Sequence, residues 1–386
     1  MRSSGDSAVV HDKNREPYER LARERLHNER LLNARFSKPE DVVGWLCAVQ
    51  AQDYAGAKWA IGQRLPGSTD DDVEQAFERG RILRTHVLRP TWHFVLPADI
   101  RWLLELTAPR IRAAMAYHDR KLGIDRALVR RSNAALAKSL TGGAYRTREE
   151  LARVLAKVGI QASGQKLGHL LMRAELDQVV CSGPRRKNSF TYALLAERAP
   201  PSARKARDQA LAELARRYFA SHGPALVQDL AWWAGLTVAD AKRGVSAAGR
   251  AVRERVIDGK SYFSGRSAAP RHSKGPAVHL LPNYDEFLIS YRDYRPVIDE
   301  TLVQRLGPRD GLLSNHIVVV NGQALGAWRR TFEKKGVTVE VKLLARLGRA
   351  EERALRAQAE HFGRFLRLPV RLSLTGYLPP LAARPL

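Results

Sequence analysis

The chain has 386 residues, with 65 Lys and Arg against 40 Asp and Glu, for a formal net charge of +25. That length exceeds one ordinary core and predicts roughly two to three domains. The positive excess is spread along the chain rather than gathered in a tail, which points to a polyanionic partner, nucleic acid ahead of an anionic membrane surface.

No stretch approaches the roughly 18 consecutive apolar residues of a bilayer span. Residues 1–16 are polar, lack the apolar core of a signal peptide and read as a disordered N-terminus. Cys47 and Cys181 stand far apart, in neither a CxxC nor a zinc spacing, and read as reduced core thiols. These features predict a soluble cytoplasmic, nucleoid-associated protein that needs no cofactor and no metal. The absence of a G-x-x-x-x-G-K-[ST] loop argues against a phosphate-binding enzyme.

In chain order, helices are predicted at about 17 to 35, 39 to 48 and 55 to 64, followed by strands at Leu83 to Leu88 and Thr91 to Val95. The capping box Ser37-Lys-Pro-Glu40 marks one helix start, and Val42, Val43, Leu46 and Val49 follow at helical spacing. Ile100 to Leu122 reads as a helix broken at Pro109 that braces neighbouring modules. Helices near 126 to 140, 148 to 157 and 164 to 175 then lead to strands at Gln178 to Ser182 and Ser189 to Ala193. Thr147-Arg-Glu-Glu150 is a second capping box.

Helices near 203 to 221, 224 to 233 and 238 to 247 precede strands at Ala251 to Asp258 and Ser261 to Phe263. After Arg266 to Pro270 the chain turns β-rich, at Val278 to Leu281, Ile317 to Asn321, Gly326 to Arg330 and Val337 to Leu343, with Asn321-Gly322 a hairpin signal. A helix from Ala350 to Leu366 precedes a last strand, Val370 to Leu374.

Helices followed by a strand pair, three times over, is the winged-helix order. The fold class is therefore α+β: three tandem winged-helix modules followed by a small C-terminal β-barrel. The expected divisions are 17–97, 98–200 with the bracing helices, 201–268, and 269–386 for the barrel. Three modules in one chain suit a monomer on double-stranded DNA.

Gln50-Ala51-Gln52 lies between two apolar helical stretches. Residues two apart point about 200° apart on a helix but share a side in an extended segment, so a helix break would let both amides face one cavity. A carboxamide is no general base, but it offers a carbonyl oxygen and an amino group to orient water and stabilise positive charge. Asp53 reads as the cap of the next helix.

The basic tip Arg185, Arg186 and Lys187, between two short strands, suits phosphate contact. His86, Arg89 and His93 bracket Pro90-Thr91-Trp92 and are candidates for DNA contact or for shaping the pocket, the alternative for each histidine being a satisfied structural role. Trp92 reads as core, as do Trp232 and Trp233 in part. Asp285-Glu286 reads as a polar module junction rather than an acidic catalytic pair.

Taken together, Gln50-Ala51-Gln52, the run from Arg84 to Phe94, and Leu280 to Phe287 followed by Tyr291-Arg-Asp293 resemble the AlkZ/YcaQ family of winged-helix DNA glycosylases, in order and over about residues 17 to 380. The resemblance implies excision of alkylated bases from DNA, with Gln50 and Gln52 catalytic. Two glutamines around an apolar residue match the AlkZ-like branch; the YcaQ-like branch carries aspartate at the second position.

The chemistry implied is hydrolysis of the N-glycosidic bond of cationic alkylated purines, N7-alkylguanine first and interstrand crosslinks second. The alkylated base already carries positive charge and leaves as a neutral molecule, so no strong acid is required. With no lysine in the motif to form a Schiff base, hydrolysis without strand cleavage is expected. The competing reading is a non-enzymatic winged-helix transcription regulator. No ligand-sensing segment or coiled-coil dimerisation helix favours it.

Overall fold

A computed structural model describes residues 16–266, 275–298 and 316–377. The expected disordered segment lies almost wholly outside the described residues, as does most of the boundary at Arg266 to Pro270. The protein is a mixed α+β fold in which three units repeat one local topology.

The first unit comprises α1 (Glu16–Asn28), α2 (Pro39–Leu46), β1 (Val49–Gln50), α3 (Tyr54–Gln63), α4 (Asp70–Glu78), β2 (Leu83–His86) and β3 (Trp92–Val95), with sheet order β1-β3-β2. The predicted helix 17–35 ends at Asn28, and sequence reasoning missed α4. Its acidic, weakly apolar stretch hides a capping box in which Thr69 accepts from Asp72 N–H while the Asp72 carboxylate accepts from Thr69 N–H. The repeating unit therefore starts at α2.

Helix α5 (Ile100–Lys121) runs unbroken through Pro109, contrary to the expected break. Pro109 occupies an exposed position, while Leu103, Leu104, Leu106 and Ile111 are buried around it. Packing carries the helix past the one lost hydrogen bond.

The second unit follows the sequence closely: α6 (Arg126–Leu140), β4 (Arg146–Thr147), α7 (Arg148–Lys157), α8 (Gly164–Leu176), β5 (Val180–Ser182), β6 (Thr191–Leu194) and the short α9 (Leu195–Arg198), with order β4-β6-β5. The Thr147–Glu150 capping box is present, and it starts α7 where predicted.

The third unit has α10 (Arg207–Ser221), α11 (Val227–Ala234), α12 (Val238–Ala248), β7 (Val252–Ile257) and β8 (Lys260–Gly265). A single bridge, Ala225 to Phe263, stands where β1 and β4 stand in the other units. Each unit thus places its first extended residue against the second strand of its hairpin.

The C-terminal part holds β9 (Val278–Leu281), α13 (Glu286–Ile289), β10 (His316–Val320), β11 (Gln323–Glu333), β12 (Gly336–Leu343), α14 (Arg349–Leu366) and β13 (Val370–Tyr377). Asn321 and Gly322 both have positive φ, the hairpin geometry their pairing predicts.

The expected barrel is not found. Among the described residues the strands form an open sheet, β13-β12-β11-β10-β9, whose end strands each pair once. Helices cover both faces, so the sheet need not close on itself. Along β10, Val318 and Val320 join the core containing Trp59, Phe362 and Phe365, whereas Ile317 and Val319 join the core containing Ala22 and Leu26 of α1.

This sheet locks the first unit in place. Trp59 of α3 donates its indole N–H to Leu280 O at 2.7 Å, and its ring lies 5.0 Å from Phe362 and 5.2 Å from Phe365 of α14. Arg64, fully buried, is shared by two carboxylates, with Nη2 2.8 Å from both Glu29 and Asp285. Asp285 also caps α13 through Phe287 N–H, so it is the junction residue the sequence suggested.

Candidate active site

Gln50 ends β1, and its antiparallel pairing with β3 sets it directly opposite His93. The chain leaves the strand at Ala51 and bends at Gln52, which is exposed, whereas Gln50 retains 6% of its accessible surface. The motif does sit at a break between two helices, but only Gln50 lies in the strand; the chain bends at Gln52, so one amide is buried and the other reaches out, and the two do not share one side as the residue pattern suggested.

Main-chain bonds fix the segment. Gln50 N–H donates to Glu286 Oε1 at 2.7 Å, Ala51 N–H donates to Trp92 O at 2.7 Å, and Ala51 O accepts from Arg84 Nε at 3.0 Å. A longer bond of 3.4 Å runs from Trp92 N–H to Gln52 Oε1. Ala51 is fully buried, so a small central side chain suits the position. Asp53 caps α3 by accepting from Gly56 N–H at 3.1 Å, as expected.

The second unit supports this segment from the far edge of its sheet. Ser182 Oγ accepts from Arg84 N–H at 2.8 Å, and Glu175 accepts from His86 N–H at 2.9 Å. The Arg84 guanidinium lies over Trp92 at 4.3 Å and Phe190 at 4.5 Å. Burial pushes its pKa down to about 10, against the opposing pull of Glu175. Glu175 and Phe190 are site residues that sequence reasoning missed, and Arg84 entered only as the first residue of the run that carries the family resemblance, because nothing local links them to residues 50–52.

His86 and His93 do not present themselves for DNA contact. His86 is buried, its Nδ1 paired with Glu175 and its ring 4.4 Å from that of Trp92. Trp92 is thus half-buried between a cation and an imidazole rather than set in an apolar core. His93 is wholly buried and its Nδ1 lies 2.9 Å from Thr91 O. A carbonyl only accepts, so Nδ1 carries the proton and Nε2 holds a lone pair. Burial, reinforced by Arg89, pushes the His93 pKa down to about 4 and keeps the ring neutral.

Arg89 is half-buried over Trp232, 5.4 Å from the ring centroid, and burial lowers its pKa. Of the basic tip, Arg185 folds inward, 5.3 Å over Tyr54 and 5.2 Å over Phe190. Arg186 is exposed but tied to Glu150 at 2.8 Å and Tyr145 O at 2.7 Å. Lys187 is exposed at the turn.

Beneath Gln50 lies Glu286, fully buried. Besides Gln50 N–H it accepts from Trp233 Nε1 at 2.8 Å and Ser290 Oγ at 2.6 Å, and His222 Nε2 stands 3.7 Å away. Burial opposes its charge, but His222, Ser290 and His93 outweigh that and hold the carboxylate at about 2. Trp233 is core and Trp232 is partly exposed, as expected. The arrangement offers one buried neutral amide at the end of a strand and one exposed amide just past it, an ionised carboxylate behind the buried one, and cations nearby.

A family model described as "DNA glycosylase AlkZ-like" matches residues 43–365. The chain is 24% identical over 348 residues to a Streptomyces sahachiroi protein described as an interstrand DNA cross-link repair glycosylase, spanning 86% of this chain and 92% of that one. Its fold is similar to that of Streptomyces sahachiroi DNA glycosylase AlkZ, with a TM-score of 0.72 at 22% identity over 92% of this chain and 99% of the other. With the family model spanning most of its length and running through the glutamine pair, the chain belongs to the AlkZ-like family of DNA glycosylases, enzymes that act on N-glycosyl bonds.

Proposed function

We propose that this protein is a monofunctional glycosylase of duplex DNA that hydrolyses the N-glycosidic bond of cationic alkylated purines, N7-alkylguanine first. Gln50 and Gln52 orient the attacking water and turn amide oxygens toward the positive charge that develops on the sugar. The observation that carries this reading is the rigid backbone of residues 50–52, which holds two uncharged polar side chains beside Trp92 and His93. Such a site suits a leaving base that already bears the charge.

Lys58, the first lysine after the motif, is bound at Nζ by Asp70 at 2.6 Å and Glu74 at 2.7 Å, which supports hydrolysis over Schiff-base chemistry. The three repeated units act as winged helices along the duplex, and the chain works as a monomer in the cytoplasm on nucleoid DNA. The Streptomyces sahachiroi relative is described as repairing interstrand crosslinks. A crosslinked base is tethered to both strands and cannot be flipped freely, so it would have to be reached from the groove.

Base release is the direct test. Duplex DNA bearing N7-methylguanine should yield free base and an abasic site without strand cleavage. Replacing both glutamines, Gln50→Ala with Gln52→Ala, should abolish release while leaving DNA binding intact. Full excision by that variant would remove the catalytic assignment, and sequence-specific DNA binding without base release would favour a regulator.

A further inference from the structure

Glu286 differs from the buried carboxylate beside it. Its neighbour Asp285 is neutralised by the guanidinium of Arg64, with contacts of 2.9 and 2.8 Å. Glu286 instead accepts from a backbone amide, an indole and a hydroxyl, and among the described residues its one ion-pair contact is His222 at 3.7 Å. Neutral donors solvate a carboxylate without cancelling its charge. Of its donors, Gln50 N–H at 2.7 Å is the one that belongs to the glutamine motif.

The donors come from three parts of the chain: Gln50 from β1, Trp233 from α11, and Ser290 just after α13. A carboxylate placed there joins the first unit, the third unit and the C-terminal part directly behind the glutamine pair. Burying it merely as a joint would be costly, because an ion removed from water loses several kcal/mol of hydration unless the site returns it. A junction of that kind is already provided by Arg64 with Asp285 and Glu29.

We propose that Glu286 is a positioning residue of the excision reaction, holding Gln50 by its backbone and supplying from behind it the negative charge that two amides lack. This rests on the glycosylase reading given above. As the N-glycosidic bond breaks, its electron pair leaves with the cationic base, which becomes neutral, and the sugar is left as an oxocarbenium ion. Water adds to that ion and releases a proton to solvent. A fixed anion near the sugar lowers the energy of the cationic stage without touching it, and the dry, low-dielectric surroundings of Glu286 keep that field from being screened.

The test compares two duplexes that differ only in the charge at one abasic position: a protonated 1-azaribose, which mimics the cationic sugar, and a neutral tetrahydrofuran. The unaltered protein should bind the azaribose duplex more tightly, by on the order of tenfold, the size of one charge–charge interaction across roughly 12 Å at an effective dielectric constant near 20. Glu286→Gln should erase that preference, leave tetrahydrofuran affinity unchanged and slow single-turnover release of N7-methylguanine by a similar factor. A residue that only held the fold would weaken both duplexes alike.

A preference that survives in Glu286→Gln overturns the proposal. An unaltered protein that releases base yet binds the two duplexes equally overturns it too, and that measurement does not depend on the variant folding. If the unaltered protein releases no base, the glycosylase reading itself fails, and the proposal with it.

Discussion

Gln50 and His93 face each other across the pairing of β1 with β3, and each leaves one buried polar atom, Oε1 and Nε2 respectively, without a hydrogen-bond partner among the described residues. Both atoms are acceptors, since Nδ1 of His93 donates to Thr91 O. Side chains directly opposite in an antiparallel pair share a face of the sheet. One water donating a hydrogen to each would satisfy both and fix the orientation of the Gln50 amide.

His93→Phe keeps the ring and removes the lone pair. It should slow single-turnover excision by roughly tenfold or more, as misorienting a water-positioning group does. His93→Gln, which can again accept a hydrogen bond, should recover part of the rate. Equal rates in both variants would show that the lone pair has no role.

Arg84 ties the glutamine segment to the second unit, with Nε on Ala51 O and the guanidinium between Trp92 and Phe190. Arg84→Lys preserves the charge but cannot reproduce a planar group that stacks while donating sideways. Thermal unfolding should register a loss of about 1–3 kcal/mol, the usual range for a buried hydrogen-bonded group. Excision should fall further than the loss of stability accounts for, because the motif backbone loosens; an unchanged rate in the folded variant would contradict this.

Acidification should destabilise the protein. Burial pushes His93 and His316 down to about 4 and His279 to about 3, from an ordinary value of 6.5. Between pH 6.5 and these values the unfolded chain binds protons that the folded one excludes, so stability present at pH 7 is lost as pH falls. Glu29 runs the other way: burial pushes it up to about 7, so its contribution grows as pH drops toward its ordinary 4.5. Burial also lowers His27 and His361 and raises Asp229, so five histidines against two carboxylates set the sign. Below pH 4.5, Glu286, held at about 2, adds to the loss. Calorimetry at pH 7, 6 and 5 should show a falling Tm, and a flat or rising series would refute the balance.

The basic tip of the second unit should split into one phosphate contact and two structural arginines. Lys187→Ala should reduce the slope of log Kd against log salt by about 0.9, the value for one phosphate contact on duplex DNA. Arg185→Ala should instead lower Tm, because it removes the cation packed on Tyr54 and Phe190. The measurement is a salt titration of binding beside a melting curve for each variant, and a full slope for Lys187→Ala would exclude it from the interface.

The sequence by itself determined the features whose causes lie within a few residues. A capping box set the start of α7, apolar spacing set the limits of α6, and Asn321-Gly322 set a hairpin, because each depends on hydrogen bonds or φ angles of neighbouring residues, whereas the expected Ser37–Glu40 box does not form, α2 starting after Lys38 with no side-chain cap. It also marked residues 50–52 as a break between helices, and the arginine excess as a sign of a polyanionic partner. Where local chemistry was weak, as in acidic α4, or was outweighed by packing, as at Pro109, the expectation failed.

Tertiary structure alone decided what surrounds the glutamine pair. Glu286 reaches Gln50 across 236 positions of sequence, and Glu175 reaches His86 across 89. The burial that neutralises His93, and the helices that keep the C-terminal sheet open, likewise arise from contacts between distant segments. Burial and electrostatic neighbours are properties of what packs against a residue, and no local pattern encodes them.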